Sequence, residues 1–151
     1  MIIPCWAIHE KYSKLMGIPV DIAKKINKFI DDPRWHDFFD SALERSEIPN
    51  LRFLGGRIII YNFHSALFYT QTYKDFRRMI EMYGDNGFKA FFLHMILDLI
   101  ERNMRSGKGF ALLKVDDIDG FYSGYIEEVG EFLASRIDDV LADIKAYVSR
   151  A

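Results

Sequence analysis

The chain has 151 residues, half of them hydrophobic, and its 20 Lys and Arg residues nearly balance its 22 Asp and Glu residues, which leaves a net charge of −2. This length predicts one ordinary domain, residues 1–151, and the near-neutral charge argues against a general attraction to nucleic acid or to an anionic membrane. The single cysteine excludes an intramolecular disulfide, which fits the reducing cytoplasm. The longest stretch without Asp, Glu, Lys or Arg covers residues 58–73, and it is shorter than the about 20 residues that span a bilayer. We therefore expect a cytoplasmic protein.

Prolines and the spacing of apolar residues predict three helices in the first third of the chain. A first helix is predicted over about residues 5–16, and Pro19 opens a second. Asp32 followed by Pro33 is the N-terminal signal of a third helix, in which we place residues 32–46. The apolar residues of this third helix follow helical spacing: Trp35, Phe38, Phe39, Ala42 and Leu43.

The middle of the chain breaks the helical pattern. Pro49 and two glycines interrupt it, and a β-branched run near residues 57–62 predicts a short extended segment for which the sequence offers no obvious partner strand. Residues 105–120 are predicted to form a connection with room for one short strand. Further helices are predicted over about residues 65–83, 87–105 and 123–149. Together these elements predict a mainly α, single-domain bundle of about six helices.

Histidines in separate predicted segments are the candidates for a metal site. The chain has four of them, His9, His36, His64 and His94, and Asp37 directly follows His36. In the absence of thiolates, imidazole and carboxylate groups are the ligands that a borderline divalent ion requires. Helical periodicity places Asp37 on the far side of the third helix from its apolar arc, so that it faces solvent or a second layer.

The order of these residues along the chain resembles that in the HD family of metal-dependent phosphohydrolases, whose ligands run His, then His-Asp, then a later Asp. The matching positions are His9, His36, Asp37, His94 and Asp98. The resemblance implies an all-α enzyme in which these five residues hold one or two divalent ions. It further implies hydrolysis of a phosphomonoester or phosphodiester.

A phosphorylated small molecule is therefore the expected ligand. Lys11 or Arg105 would hold its phosphate beside the metal ion. The sequence carries no nucleotide or flavin signature, because "SGKGF" at residues 106–110 lacks the first glycine and the strand–loop–helix context of a phosphate loop.

The predicted fifth helix is apolar around most of its circumference, which is typical of a central helix. Its polar residues form one stripe with spacings of four, three and four: His94, Asp98, Glu101 and Arg105. Residues four apart lie one above the other on a helix. The stripe therefore either borders a polar cleft or is a solvated seam, and the seam is the commoner arrangement. For His9, an exposed position at a helix edge is likewise the commoner arrangement.

A non-enzymatic interaction protein is the alternative function. The predicted last helix carries an apolar stripe that is longer than a core of five other helices needs, and the chain is rich in Tyr, Phe and Met. These features favour self-association through the C-terminal helix. The sequence leaves the choice between this function and a metal-dependent hydrolase open.

Overall fold

The computed structural model describes residues 6–32, 43–53, 56–64, 71–107, 110–116 and 120–150. The protein is mainly α, as predicted. The described helices are α1 (Trp6–Leu15), α2 (Val20–Ile30), α3 (Gln71–Glu81), α4 (Gly84–Arg105), α5 (Phe121–Ala134) and α6 (Ile137–Arg150). The described strands are β1 (Leu43–Phe53), β2 (Gly56–His64) and β3 (Ala111–Asp116). None of the helices in this part of the chain combines the length and the apolar composition of a membrane span.

The three strands form one sheet in the order β1-β2-β3. The predicted extended segment is confirmed as the central strand β2, and it has a partner on each side. It pairs antiparallel with β1, where Ser46 is opposite Ile60, and parallel with β3, where Leu112 is opposite Ile60. The short strand expected in the connection after α4 is confirmed as β3. Helices α3 and α4 lie between β2 and β3 in sequence, as a parallel pair requires.

The prediction of a helix that continues to residue 46 is wrong at its C-terminal end. Residues 43–46 belong to β1, where Leu43 pairs with Phe63. The apolar spacing of this segment fits a helix, but the hydrogen bonds and contacts that it gains by pairing with the β-branched residues of β2 favour a strand. The register of this pair is interrupted between Glu47 and Arg52, in the segment that contains Pro49. A proline cannot donate a ladder hydrogen bond, so it is tolerated on an edge strand such as β1. The earlier part of the predicted third helix, residues 33–42, lies outside the described residues.

Helix α4 is the centre of the core, as its all-round apolar character predicted. It contacts α1, α2, α3, α5, α6 and β3. Its largest fully buried side chains are Phe91, Phe92, Leu93, Leu97 and Ile100. Because neighbours surround this helix, a polar side chain on it is desolvated unless it lies at a gap between two of them.

The predicted last helix is in fact two helices, α5 and α6, separated by a turn at Ser135 and Arg136. The amide of Arg136 donates to the carbonyl of Leu133, three residues earlier, which tightens the backbone into a turn there. Most of the apolar stripe predicted for this region packs against the rest of the chain. The stripe residues Ile126, Val129, Leu133, Val140 and Ile144 are buried in the core. Self-association through this region stays a prediction.

The junction between α3 and α4 requires a glycine at position 87. A Cβ on Gly87 would overlap the backbone carbonyl oxygen of Ile80, whereas a Cβ on Gly130 in α5 would meet nothing within 4 Å. We expect Gly87→Ala to lower the free energy of unfolding by about 1–3 kcal/mol. Gly130→Ala is the matched control, and it should raise that free energy by about 0.5–1 kcal/mol because alanine restricts the unfolded chain. Urea unfolding of both variants is the measurement, and equal effects of the two substitutions would contradict this account of the junction.

Candidate metal centre

Three of the predicted ligands, His9, His94 and Asp98, converge on one point. Nε2 of His9 lies 3.0 Å from Oδ1 of Asp98, and Nε2 of His94 lies 3.0 Å from Oδ2 of the same carboxylate. The two imidazole ring centroids are 4.1 Å apart. One ligand atom from each residue falls within 4.8 Å of the other two, so this group can hold a metal ion.

Local helix geometry explains the convergence. His94 and Asp98 are one turn apart on α4, so their side chains lie one above the other. His9 lies on the buried face of α1, which it shares with Tyr12 and Ser13, and α1 packs against α4. The imidazole of His9 is therefore directed at the polar stripe of α4 rather than at solvent.

The exposed alternatives considered for these histidines are wrong. His9 is 3 % exposed and His94 is 1 % exposed, whereas the side chain of Asp98 is 39 % exposed. The polar stripe on α4 thus has a buried histidine at His94 and a partly exposed carboxylate one turn later at Asp98.

Helix α2 supplies two side chains that the sequence interpretation did not assign to the site. Oδ1 of Asp31, at the C-terminus of α2, lies 3.3 Å from Nε2 of His94, and its Oδ2 accepts a hydrogen bond of 2.8 Å from Nε1 of Trp6. Oδ1 of Asn27, one turn earlier, lies 2.8 Å from Nδ1 of His94. We call His9, His94, Asp98 and Asp31 the His–Asp cluster.

Three nitrogen–oxygen separations in the His–Asp cluster fall in the range found between adjacent ligands of a metal ion. Ligand atoms about 2.0–2.2 Å from an ion and about 90–110° apart are separated from each other by about 2.8–3.6 Å. The observed separations between cluster atoms are 3.0, 3.0 and 3.3 Å. Two imidazole nitrogens and two carboxylates suit a borderline divalent ion such as zinc or manganese.

Hydrogen bonding gives a second indication that the cluster suits a cation. Within the described residues, the buried Nε2 of His94, which faces both carboxylates of the cluster, has no hydrogen-bond partner. The nearest oxygens of Asp98 and Asp31 approach this nitrogen as ion-pair contacts, at 3.0 and 3.3 Å. Buried polar atoms are nearly always satisfied, so an unsatisfied imidazole nitrogen beside two carboxylates is suited to a cation.

The electrostatics of the cluster favour one positive charge between the carboxylates. Burial lowers the pKa of His94, but the negative charges of Asp98 and Asp31 outweigh it and raise that pKa to about 9. Burial and the neighbouring charge of His94 hold the pKa of His9 below its usual value. Burial raises the pKa of Asp98, but the two imidazoles outweigh it and hold that pKa well below its usual range. A metal ion would replace the proton on Nε2 of His94.

A cavity of about 360 Å³ lies between α1 and α2 beside the His–Asp cluster. Its lining residues are Trp6, Glu10, Lys24, Asn27 and Lys28. Two of these residues also contact the cluster, since Trp6 donates to Asp31 and Asn27 contacts His94. Lys24 and Lys28, which the sequence interpretation did not assign to the site, thus line a cavity that adjoins the candidate metal ligands.

The two cations predicted to hold a phosphate have other contacts. Nζ of Lys11 lies 2.6 Å from Oδ2 of Asp143, which links α1 to α6. The guanidinium of Arg105 pairs with Glu101 at 3.3 Å and lies over the ring of Tyr147. The assignment of Lys11 and Arg105 to a phosphate stays a prediction.

The remaining predicted residues do not add to the described cluster. His36 and Asp37 lie outside the described residues, and His64 is the last residue of β2. Membership of the HD family is thus a prediction from residue order, whereas the convergence of His9, His94 and Asp98 is observed. No family model, curated protein or solved structure matches the chain.

Proposed function

We propose that the protein is a divalent-metal-dependent phosphohydrolase whose ion is held by the His–Asp cluster. The observation that supports this most strongly is the convergence of His9 from α1 with His94 and Asp98 from α4, which brings three ligand atoms within 4.8 Å of one another. A bound divalent ion would supply Lewis acidity toward a phosphoryl oxygen and would lower the pKa of water.

The exposure of the carboxylates supports a catalytic rather than a purely structural site. The side chains of Asp98 and Asp31 are 39 % and 26 % exposed, whereas the imidazoles of His9 and His94 are buried. The chain thus encloses the ion site on the imidazole side and leaves it accessible on the carboxylate side. Catalytic metal sites keep such an open position, whereas structural sites are closed by protein ligands.

The cavity between α1 and α2 supports phosphate as the recognised group. Lys24 and Lys28 are one turn apart on α2, so both ammonium groups can contact one anion. Trp6, 46 % exposed at the same cavity, offers an aromatic surface to the rest of the substrate. The cavity adjoins the cluster through Asn27 and Trp6, so a phosphate bound there would lie beside the ion.

Hydrolysis of a generic aryl phosphate tests the proposal. Protein loaded with zinc or manganese should hydrolyse p-nitrophenyl phosphate or its bis ester, and a chelator should abolish the activity. The double substitution of Lys24 and Lys28 by Gln should raise KM about 10-fold or more with little change in kcat, since it removes ground-state binding. Lys145→Gln, at an exposed position on α6, is the matched control and should leave both constants unchanged. Activity that is indifferent to the chelator, or no activity with either ion on either ester, would contradict the proposed function.

A further inference from the structure

Helices α2 and α4 contact the imidazole of His94 at both of its ring nitrogens. Asn27 on α2 and Asp31, the C-cap residue of α2, are one turn apart, and their side-chain oxygens lie near Nδ1 and Nε2 of His94 respectively. On α4, Asp98 is one turn after His94 and also lies near Nε2. The Nδ1 contact is the shortest of these, at 2.8 Å, and both of its residues are buried, with Asn27 4 % and His94 1 % exposed.

The two ring nitrogens of an imidazole have complementary roles at a metal site. A histidine that binds an ion through Nε2 carries its remaining proton on Nδ1, and that N–H requires an acceptor. The amide oxygen of Asn27 is such an acceptor, and it adds no negative charge to a cluster that already has two carboxylates. Without an acceptor, a buried N–H group would lose a hydrogen bond with no water to replace it.

We propose that Asn27 is a positioning residue for the metal centre: its Oδ1 accepts the Nδ1–H of His94 and so directs Nε2 toward Asp98, Asp31 and the ion. This inference rests on the proposed function for the identity of the bound group. Asn27 is not among the residues that the order of histidines and aspartates along the chain indicated. Because Asn27 also lines the cavity, its side chain forms part of the wall between the substrate pocket and a metal ligand.

Zinc affinity of three variants tests this role. Asn27→Leu keeps the approximate size but removes the acceptor, and it should weaken zinc binding about 10–100-fold in competition with a chromophoric chelator. Asn27→Asp keeps an acceptor and should retain the affinity within about threefold of the wild-type value or increase it, a change smaller than that loss. Asn103→Leu is the matched control, because Asn103 is an equally buried asparagine on α4 that contacts Tyr61 and Phe110 instead. It should lower stability without changing zinc affinity.

Two outcomes would overturn the inference. One is wild-type affinity in Asn27→Leu, and the other is a loss of more than about tenfold in Asn27→Asp, because a loss of that size is expected only when the acceptor is removed. Circular dichroism of each variant shows whether it is folded. If Asn27→Leu does not fold, a loss of affinity in Asn27→Asp can still overturn the inference.

A second measurement separates this inference from the proposed function. In metal-free protein with ¹⁵N-labelled histidine, NMR should show an Nδ1 proton of His94 that exchanges slowly with solvent in the wild type and in Asn27→Asp and faster in Asn27→Leu. Equal exchange rates of this proton in the wild type and in Asn27→Leu would overturn the positioning role. If the wild type binds no zinc and yet shows this Nδ1 proton pattern, the proposed function fails and the orienting role of Asn27 stands.

Discussion

Substitution of His94 by alanine should remove the metal ion from the protein. The imidazole of His94 is the most buried group of the His–Asp cluster, and its Nε2 lies within 3.3 Å of both carboxylates. Loss of this ligand leaves only the imidazole of His9 and the two carboxylates to hold the ion. We expect zinc affinity to fall on the order of 100-fold or more, beyond the effect of removing an outer partner. Emission spectroscopy of dialysed protein measures the loss as a fall in metal content.

The control for this experiment is Asn103→Ala on the same helix. Asn103 is 1 % exposed, like His94, so both substitutions leave a small buried cavity in α4. The control variant should keep its metal ion. If His94→Ala and Asn103→Ala have the same metal content as the wild type, the ion is not held by the His–Asp cluster.

The stability of the metal-free protein should depend on pH and be greatest near pH 6–7, the region of the unperturbed histidine pKa. The folded pKa of His94 is raised from 6.5 to about 9. Its stabilising contribution is therefore fully present below about pH 6.5 and is lost as the pH rises through about 9. Above that pH the folded protein no longer holds the proton of His94 that the unfolded chain has already released. This difference corresponds to a loss of about 3 kcal/mol in the free energy of unfolding.

Two other groups of the cluster lower stability on the acid side. The folded pKa of Asp98 is depressed, so its contribution is present above its unfolded value of about 4 and is lost as the pH falls. The folded pKa of His9 is also lowered, so protonation of the unfolded chain below about pH 6.5 favours unfolding. Both effects act in the direction opposite to that of His94, which is why a maximum is expected.

Urea unfolding after treatment with a chelator measures this dependence. The decline between about pH 6.5 and 9 should be absent in His94→Ala, and it should also be absent in zinc-loaded protein, where the ion replaces the proton of His94. A metal-free wild type whose stability is the same at these two pH values would contradict the charge arrangement described for the cluster.

The part of the site on α4 was readable from the sequence because its geometry is local. A spacing of four residues on a helix places His94 and Asp98 on one face in any structure that keeps the helix. The approach of His9 was predicted from residue type and order. The burial of His9 depends on how α1 packs on α4. Helical periodicity within α1 does not determine that packing.

Asp31 and Asn27 were missed for a different reason. Asp31 lies next to a strong capping signal at Asp32 and Pro33, and a capping role accounts for acidic residues there without a site. Asn27 follows Ile26 within an amphipathic helix, and nothing local distinguishes a buried asparagine from an exposed one. The only sequence signal was their spacing of four, which places both on the same face of α2.

The fold was predicted where it depends on periodicity and missed where it depends on distant pairing. The central position of α4 followed from its apolar circumference. The strand β1 was not foreseen because its ladder with β2 begins at Leu43, which also fits helical spacing. The turn between α5 and α6 contains neither proline nor glycine, so the apolar stripe continues across it in sequence although the helix does not.

The most direct test of the metal centre is the metal content of wild-type protein after dialysis against zinc or manganese and removal of unbound ion. We expect about one tightly bound divalent ion per chain, held by imidazole nitrogen and lost from His94→Ala. Wild-type protein that is folded but binds neither ion would contradict the proposed metal centre.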